Sequence, residues 1–301
     1  MQGQDAVISY LTEQFGEEVL AACPDIKLIA NVAVGYDNVD VKAASSRSIL
    51  VTNTPGVLDE TTADLAFGLL IATARRLPEA DQFVRTGLWQ RWDPGLMLGV
   101  DVHGKTLGVV GFGRIGRAVA RRANGFRMKV LYCRRSPAAA PSSQADLESG
   151  AQLVTLDQLL EASDFISLHC PLNQETHHLF SRRELSMVKP GCILINTARG
   201  SVVDQQALIE ALQQGRLRGA GLDVFEDEPH VPPELAAMSQ VVLAPHIGSA
   251  SLETRAAMAR LAATGLISAF SGTLPENAVN PEVWEGFRRR AGLTDSNPAG
   301  D

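Results

Sequence analysis

The sequence alternates short apolar runs with segments of helical periodicity, and this alternation is the feature that most constrains its fold. Several runs are apolar throughout, as strands buried on both faces of a parallel sheet are. Helical patterns between them include residues 204–215 and 253–270. Strands and helices in this order predict an α/β fold. The candidate strands are residues 5–10, 27–31, 49–52, 106–111, 128–132, 164–169, 192–196, 219–224 and 241–244.

Length and composition narrow the class of protein. A chain of 301 residues is long enough for two domains, and its 45% hydrophobic and 20% charged residues are typical of a soluble globular protein. The net charge of −7 disfavours nucleic acid and anionic membranes as partners. The four cysteines are widely spaced, which predicts free buried thiols rather than disulfides or a metal site. With no secretory signal and no membrane-spanning stretch, we expect a cytoplasmic protein without a metal.

A glycine motif follows the candidate strand at residues 106–111. Gly111, Gly113 and Gly116 have the GxGxxG spacing and open a helical pattern, and a second strand follows at 128–132. GxGxxG alone also occurs in ordinary tight turns, but this strand–motif–helix–strand context is that of a dinucleotide site. The first glycine permits the turn, the second admits the pyrophosphate and the third packs the helix closely. The sequence therefore predicts a Rossmann-type domain.

The residues after the second strand indicate which dinucleotide is bound. NAD sites carry Asp or Glu there, whereas this strand is followed by Arg134, Arg135 and Ser136. Guanidinium and hydroxyl groups bind a 2′-phosphate that a carboxylate would repel. We therefore expect a preference for NADPH, with NADH as the second candidate. The alternative is that the two arginines are solvated surface residues.

Polar side chains also follow three of the later candidate strands. Arg199 follows one strand and His246 follows another, while the strand between them is followed by Glu226, Asp227 and Glu228. The carboxyl ends of strands in parallel sheets are where such folds bind ligands. We therefore expect these side chains to share one edge of the sheet.

These residue types match the needs of hydride transfer to a 2-oxo acid. A cation holds the carboxylate and polarises the carbonyl, an acid protonates the developing alkoxide, and an anion keeps that acid charged. Arg199, His246 and one of the three acidic residues can supply these groups. The residues alone do not decide which acid takes part. Structural roles also remain open, since Arg199 can cap a turn and His169 lies at a strand end as well.

Six motifs, including the glycine motif, occur in a fixed order within residues 5–286. With GLWQRW at 87–92, they resemble the D-isomer-specific 2-hydroxyacid dehydrogenases, and within that family the glyoxylate/hydroxypyruvate reductase branch. The motifs are NVAVGYDNVDV (31–41), TPGVLDETTADLAFGLL (54–70), GKTLGVVGFGRIG (104–116), LINTARGSVVD (194–204), GLDVFEDEP (221–229) and LAPHIGSAS (243–251).

The resemblance implies roles for individual residues. Arg199 corresponds to the substrate-orienting arginine, His246 to the acid/base, and Glu228 to the carboxylate that pairs with this histidine and favours its protonated form. The implied substrate-binding residues are Val34, Gly35, Arg199, His246, Ser249 and Trp92, the last contributed by a neighbouring subunit. The implied cofactor-binding residues are Thr62, Gly111, Gly113, Arg114, Ile115, Gly116, Pro171, Thr197, Ala198, Asp223 and Gly248, in addition to Arg134, Arg135 and Ser136.

The resemblance also implies the domain organisation. A discontinuous, flavodoxin-like substrate domain comprises residues 1–54 and 248–301, of which 288–301 form a disordered tail. The NAD(P)-binding domain comprises 55–247 and carries a dimerisation arm at about 78–102. Trp92 in this arm is expected near the partner's active site, or only as an anchor of the dimer. Relatives usually begin one strand and one helix earlier, so the substrate domain is expected to be truncated at its N-terminus or, alternatively, rearranged.

The expected function is NADPH-dependent reduction of glyoxylate and hydroxypyruvate to glycolate and D-glycerate by a homodimer. Two alternatives remain from the sequence. A relative of the same family could reduce larger 2-oxo acids such as 2-ketogluconate. The other alternative is a dinucleotide-sensing corepressor with the same fold. The retention of all three catalytic positions disfavours it.

Overall fold

The computed structural model describes residues 3–134 and 150–293. Its strands are β1 Ala6–Ser9, β2 Leu28–Asn31, β3 Leu50–Thr52, β4 Thr106–Val110, β5 Lys129–Cys133, β6 Gln152–Leu153, β7 Phe165–Leu168, β8 Cys192–Asn196, β9 Leu217–Leu222 and β10 Val241–Leu243. Its α-helices are α1 Glu17–Ala22, α2 Val41–Ser46, α3 Asp59–Ala74, α4 Leu77–Arg85, α5 Arg114–Gly125, α6 Leu156–Ala162, α7 Arg182–Met187, α8 Gln205–Gln213, α9 Pro233–Ala236, α10 Leu252–Phe270 and α11 Trp284–Arg290. Short 3-10 helices occur at Gly200–Val202 and Pro281–Val283.

The chain divides into two compact units. The first comprises Met1–Leu58 and Ser249–Asp301, and the second comprises Asp59–Gly248. In the first unit, β1, β2 and β3 form a parallel sheet in that order. Every residue of β2 and β3 is buried, including the polar Asn31 and Thr52 at their ends. The core of this unit includes Phe15, Leu20, Ile26, Ile29, Ile49 and Val51.

The C-terminal segment completes this first unit through buried polar contacts. The Asn280 side chain accepts a hydrogen bond from the Val51 amide at 2.8 Å and donates to the Ile49 carbonyl at 2.9 Å. The Arg290 guanidinium donates to the carbonyls of Pro24 and Ile26 at 2.6 and 3.0 Å. The prediction of a disordered tail is wrong for residues 288–290, because α11 runs to Arg290 and its last side chain is anchored. Residues 294–301 of the predicted tail lie outside the described residues.

The second unit contains a seven-stranded parallel sheet in the order β10-β9-β8-β7-β4-β5-β6. Successive residues of β8 alternate between two cores. Ile193 and Ile195 pack with residues of α3 and α5, while Leu194 packs with residues of α6, α7 and α8. Helices therefore cover both faces, and the predicted α/β fold with a Rossmann-type sheet is confirmed. Because all strands are parallel, their carboxyl ends share one edge of the sheet.

Some elements differ from the sequence prediction. The edge strand β6 was not predicted, because its two residues are too few to show a periodic pattern. Strand β9 begins two positions before the predicted 219–224 and ends at Leu222, so that Asp223 follows the strand instead of closing it.

The segment predicted as a dimerisation arm is rich in exposed apolar side chains. It comprises most of α4 and an irregular stretch that leads to β4. Trp92 is 77% exposed and Leu98 is 63% exposed. Across residues 3–134 and 150–293, no helix has both the length and the apolar character needed to cross a bilayer. All four cysteines are free.

Candidate active site

The glycine motif runs from the end of β4 into α5, and the structure leaves almost no room for a side chain at its first and third glycines. A Cβ on Gly111 would lie 2.6 Å from the Cys170 amide nitrogen, and one on Gly116 would overlap the Gly111 carbonyl oxygen. A Cβ on Gly113, by contrast, would meet no atom of the described residues within 4 Å. The first and third glycines therefore allow close packing, while the second leaves the helix N-terminus open. Anions bind at such helix ends, so the loop fits a pyrophosphate.

Other predicted cofactor positions lie on the same edge of the sheet. Arg114 and Ile115 begin α5. Thr197 and Ala198 follow β8, and the Thr197 hydroxyl is buried without a hydrogen-bond partner among the described residues. A buried hydroxyl of this kind fits a polar ligand atom. Pro171 follows β7, and its carbonyl accepts a hydrogen bond from Thr176 at 2.6 Å.

The predicted 2′-phosphate residues are only partly described. Arg134 directly follows β5 and is half-buried. Arg135 and Ser136 lie outside the described residues. The strand end that carries these three residues is therefore located, and their contacts with a 2′-phosphate stay a prediction.

A polar cluster forms where α3 passes the ends of β9 and β10. A Cβ on Gly248 would lie 3.1 Å from Asp223 Oδ2 and 3.4 Å from Thr62 Cγ2. Asp223 is 1% exposed, and its two carboxylate oxygens each accept a backbone amide at 2.7 Å, from Ile247 and from Gly248. Burial raises the pKa of the Asp223 carboxyl, although these two amides and the nearby His246 oppose the rise. Three predicted cofactor residues thus lie together, and Asp223 also holds the turn after β10.

Arg199 is positioned by the end of β8. The Asn196 side chain accepts the Ala198 amide at 3.0 Å and donates to the Arg199 carbonyl at 2.9 Å. Arg199 itself has an extended backbone before the 3-10 helix Gly200–Val202. A Cβ on Gly200 would overlap the carbonyl carbon and oxygen of Phe225. The absence of a side chain at Gly200 therefore brings the arginine loop against the acidic loop after β9.

His246 and Glu228 form a close pair at the ends of β10 and β9. His246 Nδ1 lies 2.7 Å from Glu228 Oε2, and the two side chains are 32% and 33% exposed. The His246 amide also donates to the Asp223 carbonyl at 2.9 Å. Because Nδ1 is engaged by the carboxylate, a substrate can exchange a proton only with Nε2.

The surroundings of Glu228 favour its ionised form. Burial opposes ionisation of the Glu228 carboxyl. Hydrogen bonds from His246 and from the Phe225 amide favour it, as do the charges of His246 and Arg199. The net effect holds the pKa of the Glu228 carboxyl below its usual range. The three predicted catalytic residues therefore interact through one carboxylate. This arrangement stabilises positive charge on the imidazole.

The neighbouring acidic residues have other contacts. Glu226 hydrogen-bonds to His178, and the Asp227 carbonyl accepts the His230 amide at 2.7 Å in a tight turn. The turn sends adjacent side chains in different directions, which sequence spacing could not show. Of the three candidates, Glu228 is the one paired with His246.

His169, the other histidine at a strand end, has a structural environment. Its Nε2 lies 2.8 Å from the Ser167 hydroxyl, and burial lowers the pKa of His169 to about 3. A neutral, buried imidazole of this kind is a poor source of protons. The sequence analysis missed Asn196, which fixes the Arg199 loop, although its position as the last residue of a buried strand was a usable signal.

The predicted substrate residues of the first unit lie in two loops. After β2, the Val34 carbonyl accepts the Asn53 side-chain amide at 2.8 Å, and the Gly35 carbonyl accepts that of Asn31 at 3.0 Å. Because a peptide is planar, fixing the Val34 carbonyl also fixes the direction of the Gly35 N–H. The Ser249 carbonyl accepts the Ser251 amide at 3.0 Å directly before α10. Trp92, in the second unit, is exposed.

Comparison with known proteins now places the chain in a family. The model of the D-isomer specific 2-hydroxyacid dehydrogenase NAD binding domain matches residues 67–248. The chain belongs to the D-isomer specific 2-hydroxyacid dehydrogenase family. The predicted family and branch are confirmed by similarity to a glyoxylate reductase from Thermococcus litoralis, which is 52% identical over 283 residues, or 93% of this chain and 84% of the relative.

Solved structures of the family support a nicotinamide cofactor. The NADPH-dependent glyoxylate/hydroxypyruvate reductase from Sinorhizobium meliloti, in complex with NADP and malonate, has a TM-score of 0.85 at 39% identity, covering 93% of this chain and 85% of that one. D-Lactate dehydrogenase from Aquifex aeolicus, complexed with NAD and lactic acid, has a TM-score of 0.84 at 32% identity, covering 92% and 87%. The chain is thus an NAD(P)-binding oxidoreductase of this family.

The contact between the two loops makes Gly200 a test of the site. In Gly200→Ala, the new methyl group overlaps the Phe225 backbone, so Arg199 and Glu228 must move apart. We expect kcat/KM for reduction of a 2-oxo acid to fall about 100-fold, the cost of a displacement near 1 Å. Gly125→Ala is the matched control, because a Cβ there would meet no described atom within 4 Å. Equal activity of the two variants would show that loop contact does not position the site.

Proposed function

We propose that this protein reduces small 2-oxo acids, with glyoxylate and hydroxypyruvate as substrates and glycolate and D-glycerate as products. The observation that carries this proposal is the pairing of His246 Nδ1 with Glu228 Oε2 at 2.7 Å, next to the charge of Arg199. A cation, a carboxylate and an imidazole on one sheet edge supply the groups that reduction of an anionic carbonyl compound needs.

The substrate anion is bound by groups from several loops in this proposal. The Arg199 guanidinium holds the carboxylate and polarises the adjacent carbonyl, because it can donate two parallel hydrogen bonds. The family resemblance also assigns Val34, Gly35 and Ser249 to substrate binding. These roles follow from the family resemblance, and the fixed direction of the Gly35 N–H is consistent with one of them.

Proton transfer is assigned to His246. A reduced nicotinamide cofactor, held by the glycine loop before α5 and the residues after β8, would supply the hydride that the carbonyl carbon accepts. Nε2 of the protonated imidazole gives its proton to the carbonyl oxygen, so the substrate gains one hydride and one proton and becomes a hydroxy acid. The imidazole ends neutral, and Glu228 balances its charge before transfer. Asp223 supports this geometry by holding the turn that carries His246, and it is also assigned to the nicotinamide carboxamide.

NADPH is the preferred cofactor in this proposal. Arg134, half-buried directly after β5, stands where an acidic residue would bind the ribose of NAD. Together with Arg135 and Ser136 it can neutralise a 2′-phosphate. NADH remains usable, because the remaining cofactor contacts do not involve that phosphate.

We also propose the larger organisation of the enzyme. Residues 1–54 and 248–301 form the substrate domain, and 55–247 form the cofactor domain. The exposed Trp89, Trp92 and Leu98 form the dimerisation arm, with Trp92 reaching the partner's site in a homodimer. The free cysteines fit a reducing compartment such as the cytoplasm.

A substrate and cofactor panel tests the proposal. Initial rates with glyoxylate, hydroxypyruvate and 2-ketogluconate are followed by loss of reduced cofactor absorbance, with NADPH and with NADH. We expect the highest kcat/KM for the two small acids and an NADPH preference of about 10- to 100-fold, as charge-assisted bonds to a phosphate provide. A higher kcat/KM for 2-ketogluconate would overturn the substrate assignment, and equal use of NADH would overturn the cofactor preference.

The pairing of Glu228 with His246 predicts a change in pH dependence. Because the pKa of Glu228 is lowered, its negative charge persists through the neutral range and is lost only as the pH falls through that lowered value. Glu228→Gln removes the charge that stabilises the imidazolium, so reduction should fail first on the alkaline side. We expect the upper limb of the kcat profile to move down by about one pH unit or more.

Asp227→Asn is the matched control for this change. Asp227 is the adjacent acidic residue, and the substitution keeps the backbone carbonyl that accepts the His230 amide. The upper limb of the kcat–pH profile of Asp227→Asn should match that of the wild type. An upper limb that is the same in wild type, Glu228→Gln and Asp227→Asn would contradict the proposed pairing.

A further inference from the structure

A second cluster of metal-ligating side chains lies on the surface of the second unit. It consists of His177, His178 and Glu226, each of which offers a ligand atom within 4.8 Å of the others. The two imidazole rings stack with centroids 4.0 Å apart, and His178 Nε2 hydrogen-bonds to Glu226 Oε1. The two histidines are adjacent in sequence, but the carboxylate comes from a loop far along the chain.

The backbone of the two histidines is anchored on both sides. The His177 amide donates to the Asn173 carbonyl at 2.9 Å, and the His178 amide donates to the Ser201 carbonyl at 2.8 Å. Two residues later, the Phe180 amide donates to the Val202 carbonyl at 3.0 Å. The imidazoles are therefore presented from a fixed segment, so few backbone degrees of freedom need to be lost when a ligand binds.

Glu226 is held in a similar way by the N-terminus of α8. Its Oε2 accepts the Gln205 amide at 3.3 Å, and its own amide donates to Gln205 Oε1 at 3.4 Å. The side chain remains 31% exposed, and that of His178 is 36% exposed. An ion from solvent can therefore reach both groups, while the hydrogen bond from Gln205 orients the carboxylate as outer partners do in metal sites.

We infer that His177, His178 and Glu226 bind a divalent transition-metal ion of the zinc type. Two imidazoles and one carboxylate are a ligand set of Zn²⁺ sites, and they also suit Cu²⁺ and Ni²⁺. Mg²⁺ and Ca²⁺ are disfavoured, because they prefer oxygen ligands. On binding, the ion takes the Nε2 lone pair of His178 in place of the hydrogen bond to Glu226. A neutral imidazole then carries its one proton on Nδ1, and an imidazolium releases its Nε2 proton to solvent. Solvent occupies the remaining coordination position.

A simple ion pair between His178 and Glu226 does not explain why His177 is part of the cluster. The His178–Glu226 hydrogen bond needs one imidazole, whereas the structure stacks His177 beside it, with a ring nitrogen within 4.8 Å of the other two ligand atoms. The cluster shares no side chain with the Arg199, Glu228 and His246 group, and the inference does not depend on the proposed reductase activity.

Zinc binding to the intact, untagged protein tests the inference. Zn²⁺ is titrated by isothermal calorimetry and, independently, by competition with a chromophoric chelator. We expect one saturable site per chain, and His178→Ala and Glu226→Gln should each weaken it by at least about 100-fold, more than outer-sphere partners usually contribute. His103→Ala, which removes an exposed histidine elsewhere, should leave the affinity unchanged.

Spectroscopy of bound Cu²⁺ provides an independent test of the ligands if one of these variants folds poorly. Cu²⁺ bound to the wild type should show electron paramagnetic resonance couplings from two imidazole nitrogens, and His177→Ala, at an exposed side chain, should reduce these to one. Absence of saturable zinc binding would overturn the inference. So would zinc binding that survives in both His178→Ala and Glu226→Gln, since the ion would then lie at another site.

Discussion

The buried carboxylate of Asp223 links the chemistry of the second unit to its sheet. It directly follows β9 and accepts two backbone amides from the turn after β10, while its own carbonyl accepts the amide of His246. A carboxylate at 1% exposure is costly unless its hydrogen bonds are satisfied, so these contacts fix the turn firmly. The position of His246 therefore depends on an ionisable group that does not itself carry the proposed proton.

The same edge of the sheet collects the other groups that the reaction needs. Gly111 and Gly116 bring α5 close to β4, and Gly200 brings the arginine loop against the loop that holds Glu228. The small residue at Gly200 lets the two loops approach, so that Glu228 hydrogen-bonds to His246 and feels the charge of Arg199. The ends of the parallel strands position these residues, and their side chains provide the charges that the proposed reaction needs.

The fold was largely predictable because its strands are buried on both faces and therefore appear as continuous apolar runs. The prediction was wrong where the local pattern was weak. Strand β6 has too few residues to show a period, and the polar residues of α11 resemble a tail until Arg290 is seen to bind the carbonyls of Pro24 and Ile26. Such long-range contacts leave no periodic signal in the sequence.

The site was predictable to the level of loops rather than side chains. Arg199 and His246 stand alone after their strands, so position made them candidates, although His169 shared that signal and the family resemblance supplied their roles. Glu226, Asp227 and Glu228 are adjacent, and a tight turn decides that Glu228 contacts His246 while Glu226 contacts His178. For the same reason the His177–His178–Glu226 cluster escaped the sequence analysis, which expected no metal site.

The most direct measurement of the central claim is the single-turnover reduction of glyoxylate by His246→Asn, with NADPH affinity determined in parallel. Asparagine keeps a polar group next to Glu228 but cannot deliver a proton as imidazolium does. The account predicts unchanged NADPH binding and a rate lower by about 10² to 10⁴. His230→Asn, in the same loop as Glu228, should behave as wild type. A near-normal rate for His246→Asn would contradict the account.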